Sequence, residues 1–122
     1  MDETVEFKLS DFQNIISKNE GVVIFKFGAE WCAPCKKIEP VYKNFAQTAP
    51  TNLNCFKVDV DESFELYAQM KRLKMVKGLP TILAYYKGNL SYVADDSVVG
   101  SNLEELNKLF ERCIKRNAEI NP

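Results

Sequence analysis

Two kinds of hydrophobic spacing alternate along the chain and predict alternating strands and helices. A continuous apolar run from Val22 to Phe27, interrupted only by Lys26, is typical of a central strand that is covered on both faces. Shorter patterns predict further strands at 5–7, 55–60, 81–86 and within 90–99. A Lys87-Gly88-Asn89 turn signal separates the last two strands, which should therefore form a hairpin.

Apolar residues at helical spacing lie between these strands and after the last one. They predict four helices, which begin near Ser10, Pro34, Glu62 and Ser101. Ser10 with Gln13, and Ser101 with Glu104, fit the capping-box pattern of a helix start. Pro40 lies inside the second helix, where it removes a backbone donor and predicts a kink.

The resulting order is strand-helix-strand-helix-strand-helix-strand-strand-helix. Such alternation predicts an α/β fold with parallel strands, helices on both faces of the sheet and an antiparallel hairpin at one edge. A length of 122 residues suits one domain. We place this domain at residues 1–116 and expect 117–122 to be a frayed tail.

Charge and hydropathy exclude several classes of partner. The formal net charge is -1, whereas proteins that bind nucleic acids or anionic membranes usually carry a basic excess. No apolar run approaches the roughly 20 residues that span a bilayer. The acidic start, Met1 to Glu6, lacks the features of a secretory signal. We therefore expect a cytoplasmic protein without nucleic-acid or membrane partners, unless a leader has been removed.

The cysteine and histidine content bears on metal binding. Four Cys are too sparse for a disulfide-built scaffold, and the absence of His excludes a Cys–His zinc site. A four-Cys site would need a second close pair, so we predict no metal; an iron–sulfur cluster shared by two chains stays open. Cys55 and Cys113 are interpreted as buried small hydrophobes, with a regulatory or dimer-forming role as the alternative.

The strongest chemical signal is Trp31-Cys32-Ala33-Pro34-Cys35-Lys36, which directly follows the central strand. A C-x-x-C pair at a strand-to-helix junction brings two sulfurs close together and places the first at a helix N-terminus, which favours a thiolate. A disulfide that closes so short a loop stabilises a fold only slightly. The pair is therefore predicted to be a redox couple, with an inert or purely structural pair as the alternative.

Four features together resemble the thioredoxin family: the Trp31–Lys36 motif, Pro40, Lys57-Val58-Asp59-Val60-Asp61 and Gly78-Leu79-Pro80-Thr81. The similarity extends from about Val5 to Ile114. It implies the thioredoxin fold, a mixed five-stranded sheet flanked by four helices. It also implies a thiol–disulfide oxidoreductase that reduces disulfides in protein substrates.

The resemblance assigns a role to each residue that matches the motifs. Cys32 would be the exposed nucleophile and the more buried Cys35 the resolving thiol, and the two would form the redox disulfide. The Leu79–Pro80 bond would be cis and would lie beside Cys32. Substrate would bind an apolar rim around the cysteines, formed by Trp31, Ala33, Pro34, Leu79, Val99 and Gly100.

Lys26 departs from the family pattern, because thioredoxins usually carry a buried Asp there. A buried, unpaired ammonium is costly, so Lys26 should be neutral, pair with a carboxylate or extend its stem to the surface. Asp59 is the candidate carboxylate, and Lys57, which the family retains, would repel Lys26. Both lysines are candidates for tuning the pKa of the cysteines.

We therefore expect a monomeric enzyme of electron transport and cell redox homeostasis. It would need no cofactor, take electrons from a thioredoxin reductase and act on disulfide-containing proteins. One alternative, suggested by Lys26, is a more oxidising disulfide oxidase or isomerase. Another is a thioredoxin-fold binding subunit whose dithiol is dispensable.

Overall fold

The computed structural model describes residues 6–122 of the chain. Over these residues the chain forms four strands and four helices in the order α1 (Leu9–Ser17), β1 (Val22–Gly28), α2 (Ala33–Thr48), β2 (Leu53–Asp59), α3 (Phe64–Arg72), β3 (Thr81–Tyr86), β4 (Asp96–Val99) and α4 (Leu103–Ile120). From α1 onward this order of elements agrees with the one expected from the sequence, with a sheet of four strands rather than five between residues 6 and 122.

The missing strand is the one predicted at 5–7. Val5 lies outside the described residues, and Phe7 is not part of a strand. The Phe7 N–H donates instead to the Ser63 Oγ at 2.9 Å, just before α3. The Phe7 side chain is therefore buried in the core, while its backbone is not part of the sheet.

The sheet has the strand order β2-β1-β3-β4. β1 and β2 are parallel, as predicted, but β3 is antiparallel to β1, which corrects the prediction that the inner strands are all parallel. After α3 the chain returns to the end of the sheet at which β1 finishes, so Thr81 pairs with Phe27. β4 is antiparallel to β3, with Val99 opposite Thr81. The end of β1 and the start of β3 thus lie side by side.

Side chains on the two faces of the sheet form two separate cores. Val23, Phe25 and Phe27 of β1 belong to one core, together with apolar residues of α1 and α3. Val22 and Ile24 belong to the other core, with apolar residues of α2 and α4. Because successive strand residues point to opposite faces, Lys26 lies on the second face, beneath α2.

Both predicted capping boxes are wrong by one or two residues. α1 begins at Leu9, and its first turn is closed by the Asp11 carboxylate, which accepts from the Lys8 N–H at 2.9 Å. α4 is capped by Asn102, whose Oδ1 accepts from the Glu105 N–H at 3.0 Å. At α4, Asn competes well with Ser for the N-cap position, so the local pattern alone does not select the cap.

α4 is also longer than predicted. It runs to Ile120, so most of the expected tail, 117–122, continues the helix. Asn117 is buried and its Nδ2 donates to the Thr51 carbonyl at 2.9 Å, which ties this end of the helix to the segment before β2. On this helix Cys113 is buried in the core, whereas the next apolar residue, Ile114, is 42% exposed.

A nine-residue connection, 87–95, replaces the predicted tight hairpin between β3 and β4. The turn itself is present, with the Asn89 N–H donating to the Tyr86 carbonyl and Gly88 at a φ of 92°. The chain then places Tyr92 against Phe12, with ring centroids 5.3 Å apart, before β4 begins. Residues 87–95 thus lie outside the strands, while Tyr92 among them packs against the core.

Candidate active site

The cysteine pair lies at the N-terminus of α2. Cys32 is the N-cap residue, and its Sγ accepts a hydrogen bond from the Cys35 N–H at 3.2 Å. The two Sγ atoms form a disulfide, with 5.3 Å between the Cα atoms. Each cysteine is 4% exposed, which corrects the expectation that Cys32 is the more exposed of the two.

The helix start gives Cys32 an environment that favours a thiolate in the reduced protein. The first N–H groups of a helix lack carbonyl partners within it, and the helix dipole is positive at this end. The Cys35 N–H already points at the Cys32 sulfur. A negative charge on that sulfur would be stabilised by both effects, as in other C-x-x-C motifs.

Leu79, which precedes β3, and Val99 and Gly100, at the end of β4, lie at the end of the sheet where β1 finishes and the chain leads into α2. The Leu79–Pro80 peptide bond is cis. The Pro80 carbonyl accepts from the Gly100 N–H at 2.8 Å, so the segment before β3 lies beside the residues that follow β4. Val99 is 55% exposed. Ala33 and Pro34 occupy the exposed first turn of α2.

Trp31, the only tryptophan of the chain, directly precedes Cys32. The residue is 68% exposed, and its Nε1 donates to the Asp61 carboxylate at 2.8 Å. This hydrogen bond links the loop after β1 to the loop after β2. A large aromatic surface is therefore held in place next to Cys32 while it remains open to solvent.

Lys26 is buried and paired, so its stem does not carry the ammonium to the surface. The residue is 1% exposed, and its Nζ lies 2.6 Å from Glu39 Oε2 and 5.2 Å from the centre of the Tyr42 ring. Asp59, the partner expected from the sequence, uses its Oδ1 to accept the N–H groups of Asp61 and Glu62.

Glu39 is the functional candidate that the sequence analysis missed. Its Oε2 also lies 3.2 Å from the Lys57 Nζ, so one carboxylate bridges two lysines. Burial raises the pKa of Glu39, but the two ammonium groups outweigh it and hold that pKa below its usual value. Burial lowers the pKa of Lys26, and the nearby Glu39 carboxylate offsets part of this effect. The sequence feature that could have pointed to Glu39 is its position four residues after Cys35, on the same face of the helix.

A cleft of about 160 Å³ is lined both by these charged residues and by Cys35, the inner cysteine of the pair. Its lining includes Cys35, Gly28, Lys26, Glu39 and Lys57. The inner sulfur and the bridged lysines therefore face the same space between β1, β2 and α2.

The described residues contain neither a candidate metal site nor a candidate membrane-spanning helix. Between residues 6 and 122, no three His, Cys, Asp or Glu side chains come together in a way that could hold a metal ion. In the same part of the chain, no helix has both the length and the apolar character needed to cross a membrane.

Comparison with known sequences gives a consistent result. The sequence profile of the thioredoxin family matches residues 3–112. Thioredoxin 1 of Plasmodium falciparum is 37% identical over 103 residues, which cover 84% of this chain and 89% of that protein. Thioredoxin-1 of Caenorhabditis elegans is 38% identical over 86 residues, which cover 70% of each chain.

Solved structures are similar over nearly the whole chain. A Plasmodium falciparum thioredoxin superposes with a TM-score of 0.72 at 34% identity, covering 90% of this chain and 98% of the other. The X-ray structure of Fasciola hepatica thioredoxin gives a TM-score of 0.75 at 28% identity, with 91% and 99% covered.

Proposed function

The chain belongs to the thioredoxin family and is a thiol–disulfide oxidoreductase, and we propose that Cys32 is its attacking thiolate and Cys35 its resolving thiol. The observation that carries this assignment is the position of the Cys32 sulfur, at the start of α2 and bonded to Cys35. The first sulfur has the environment of a thiolate, and the second is near enough to displace whatever the first captures.

The reaction consists of two exchanges. The Cys32 thiolate attacks one sulfur of a substrate disulfide, a Cys32–substrate disulfide forms, and the other substrate sulfur leaves as a thiolate. Cys35 then loses its proton and attacks the Cys32 Sγ. The Cys32–Cys35 disulfide forms and the second substrate sulfur leaves. The substrate gains two electrons, and the enzyme returns to its dithiol form by accepting two electrons from a donor.

The exposed rim gives the substrate a place to dock. We assign this role to the Trp31 ring, the first turn of α2, Leu79 and the Val99–Gly100 segment. An extended segment of a partly unfolded protein could pair with the backbone at Leu79 and contact the apolar side chains around it. Such a surface selects accessible disulfides more than particular sequences.

The two alternatives to a reductase have less support. The matched relatives are named thioredoxins, and both cysteines of the pair are present and bonded. Lys26 prompted the oxidase or isomerase alternative, but its ammonium is paired with Glu39. We retain Lys26 and Lys57 as residues that tune the pKa of the cysteines.

Three further assignments belong to the proposal. Electrons would come from a thioredoxin reductase, the enzyme would act as a monomer, and it would reside in the cytoplasm, in electron transport and redox homeostasis. Oxidation of NADPH in the presence of a thioredoxin reductase tests the first, sedimentation the second and fractionation of cells the third.

Reduction of insulin tests the central assignment. With dithiothreitol as donor, the protein should accelerate the precipitation of insulin chains, and Cys32→Ser should abolish the acceleration. Cys35→Ser should accumulate a Cys32–insulin mixed disulfide, visible on a non-reducing gel. Cys113→Ser is the matched control, since this thiol is buried in the core and should leave the rate unchanged. A Cys32→Ser variant as fast as the parent protein would overturn the assignment.

A further inference from the structure

The inner cysteine and a bridging carboxylate share one face of α2. Glu39 follows Cys35 by four residues, so the two lie one helical turn apart on the same face. Lys26 precedes Gly28 by two residues on β1, so both positions face the side of the sheet on which α2 packs. A Cβ atom on Gly28 would lie 3.3 Å from the Cys35 Sγ. Cys35 therefore lies against the end of β1, and the Lys26–Glu39 pair lies next to it in the same cleft.

We propose that Glu39 is a positioning residue for disulfide exchange: by pairing with Lys26, it limits how strongly that ammonium stabilises the thiolate of Cys35. The proposal rests on the proposed function, in which Cys35 is the resolving thiol. An ammonium in a partly buried cleft attracts a thiolate more strongly than one in water. The Glu39 carboxylate, 2.6 Å from the Lys26 Nζ, opposes this attraction because its negative charge lies beside the ammonium.

The consequence concerns the direction of the reaction. A thiolate stabilised on Cys35 would favour the dithiol over the disulfide and make the protein a weaker reductant. A stabilised Cys35 thiolate would also be a weaker nucleophile, because the nucleophilicity of a thiolate falls as the pKa of its thiol falls. Pairing Lys26 with Glu39 therefore lets the chain carry a buried lysine at this position and still act as a reductase.

Other charged groups face the cleft and have to be considered. They are Glu30 from the loop after β1, Lys36 from α2, and Lys57 and Asp59 from β2. Glu30 and Lys36 are exposed, so solvent screens them. Asp59 is held by two backbone N–H groups, and Lys57 shares Glu39 with Lys26. Lys26 is the most deeply buried charged residue of the cleft. A single substitution at Lys26 or Glu39 therefore changes the balance of charge at the buried part of the cleft.

Titration of Cys35 in a Cys32→Ser background tests the proposal without any substrate. The thiolate is followed by its ultraviolet absorbance as a function of pH. Cys55 and Cys113 do not interfere, because burial raises the pKa of each thiol to about 12. In this background Cys35 is the remaining thiol of the pair, so the transition at lower pH belongs to it.

Opposite shifts are expected from the two single substitutions. Glu39→Gln frees the Lys26 ammonium and should lower the pKa of Cys35 by about one pH unit, which is roughly tenfold more thiolate below the transition. Lys26→Met removes the ammonium and should raise that pKa. The double variant Lys26→Met/Glu39→Gln should return it toward the starting value. The double variant leaves no unpaired charge at position 26, so it stays informative if a single variant folds poorly.

An exposed ion pair provides the matched control. Glu104→Gln breaks the pair with Lys108 on α4 and should leave the Cys35 titration unchanged. A Glu39→Gln variant that leaves the Cys35 pKa unchanged or raises it would overturn the proposal, as would a Lys26→Met variant that lowers it. These results are separate from insulin reduction, whose failure in the parent protein would overturn the proposed function instead.

Discussion

Because Gly28 has no side chain, the Cys35 side chain can occupy the space beside it. A Cβ atom at position 28 would lie 3.3 Å from the Cys35 Sγ and 3.6 Å from its Cβ. The first distance is tighter than ordinary van der Waals contact, and the bonded sulfur has little freedom to move away. The last residue of β1 therefore limits how closely the strand and α2 can approach at the active site.

Larger side chains at position 28 should destabilise the oxidised protein. Gly28→Val should lower the free energy of unfolding by about 1–3 kcal/mol, the usual cost of overpacking a filled site. Gly28→Ala is the control, with an expected change below about 1 kcal/mol, because alanine also restricts the unfolded chain. Urea unfolding of the disulfide form measures both values. A valine variant as stable as the parent would contradict the prediction.

Acid should remove the stabilising effect of Glu39. Burial raises the pKa of this carboxyl, but Lys26 and Lys57 together hold it below the ordinary value of 4.5. A lowered pKa in the folded state means that the ionised group stabilises the fold above pH 4.5 and that this stabilisation is lost as the pH falls through the folded-state pKa. The difference in unfolding free energy between the parent and Glu39→Gln should therefore shrink in acid.

Urea unfolding at a series of pH values measures this difference. Glu104→Gln serves as the control, because its ion pair with Lys108 is exposed and should contribute little at any pH. A difference for Glu39→Gln that stays constant from neutral pH into acid would show that the carboxylate does not stabilise the fold through its charge.

Cys55 and Cys113 should be unreactive in the native protein. Both are buried as free thiols, and burial raises the pKa of each to about 12. In a Cys32→Ser/Cys35→Ser variant, iodoacetamide should therefore label neither thiol under native conditions and both after denaturation, as counted by mass spectrometry. Rapid native labelling of either one would favour the alternative of a regulatory or dimer-forming cysteine.

Local patterns predicted the elements of this fold better than their directions. The strand at 81–86 matches β3 at both ends, since its apolar residues are contiguous and flanked by Pro80 and a turn signal. Its antiparallel pairing with β1 was not predicted, because direction depends on the contact between Phe27 and Thr81, which are far apart in sequence. Nothing within either segment specifies that contact.

The partner of Lys26 shows a similar limit at the site. Sequence spacing put Asp59 on the neighbouring strand, at a plausible distance from Lys26, but its carboxylate satisfies backbone N–H groups of the turn that follows. Glu39 reaches Lys26 only because α2 packs on that face of the sheet. The burial of Lys26 could be anticipated from the apolar run around it, whereas its partner required the packing of a helix.

The cap of α4 gives a direct test of one corrected prediction. The sequence pattern favoured Ser101 with Glu104, whereas in the structure the Asn102 Oδ1 accepts from the Glu105 N–H at 3.0 Å. Asn102→Ala should therefore lower the free energy of unfolding by about 1 kcal/mol, the typical cost of losing an N-cap, and Ser101→Ala should change it much less. Thermal unfolding of the two variants measures the order. If Ser101→Ala were the more damaging, the helix would begin where the sequence pattern placed it, and Asn102 would not be its cap.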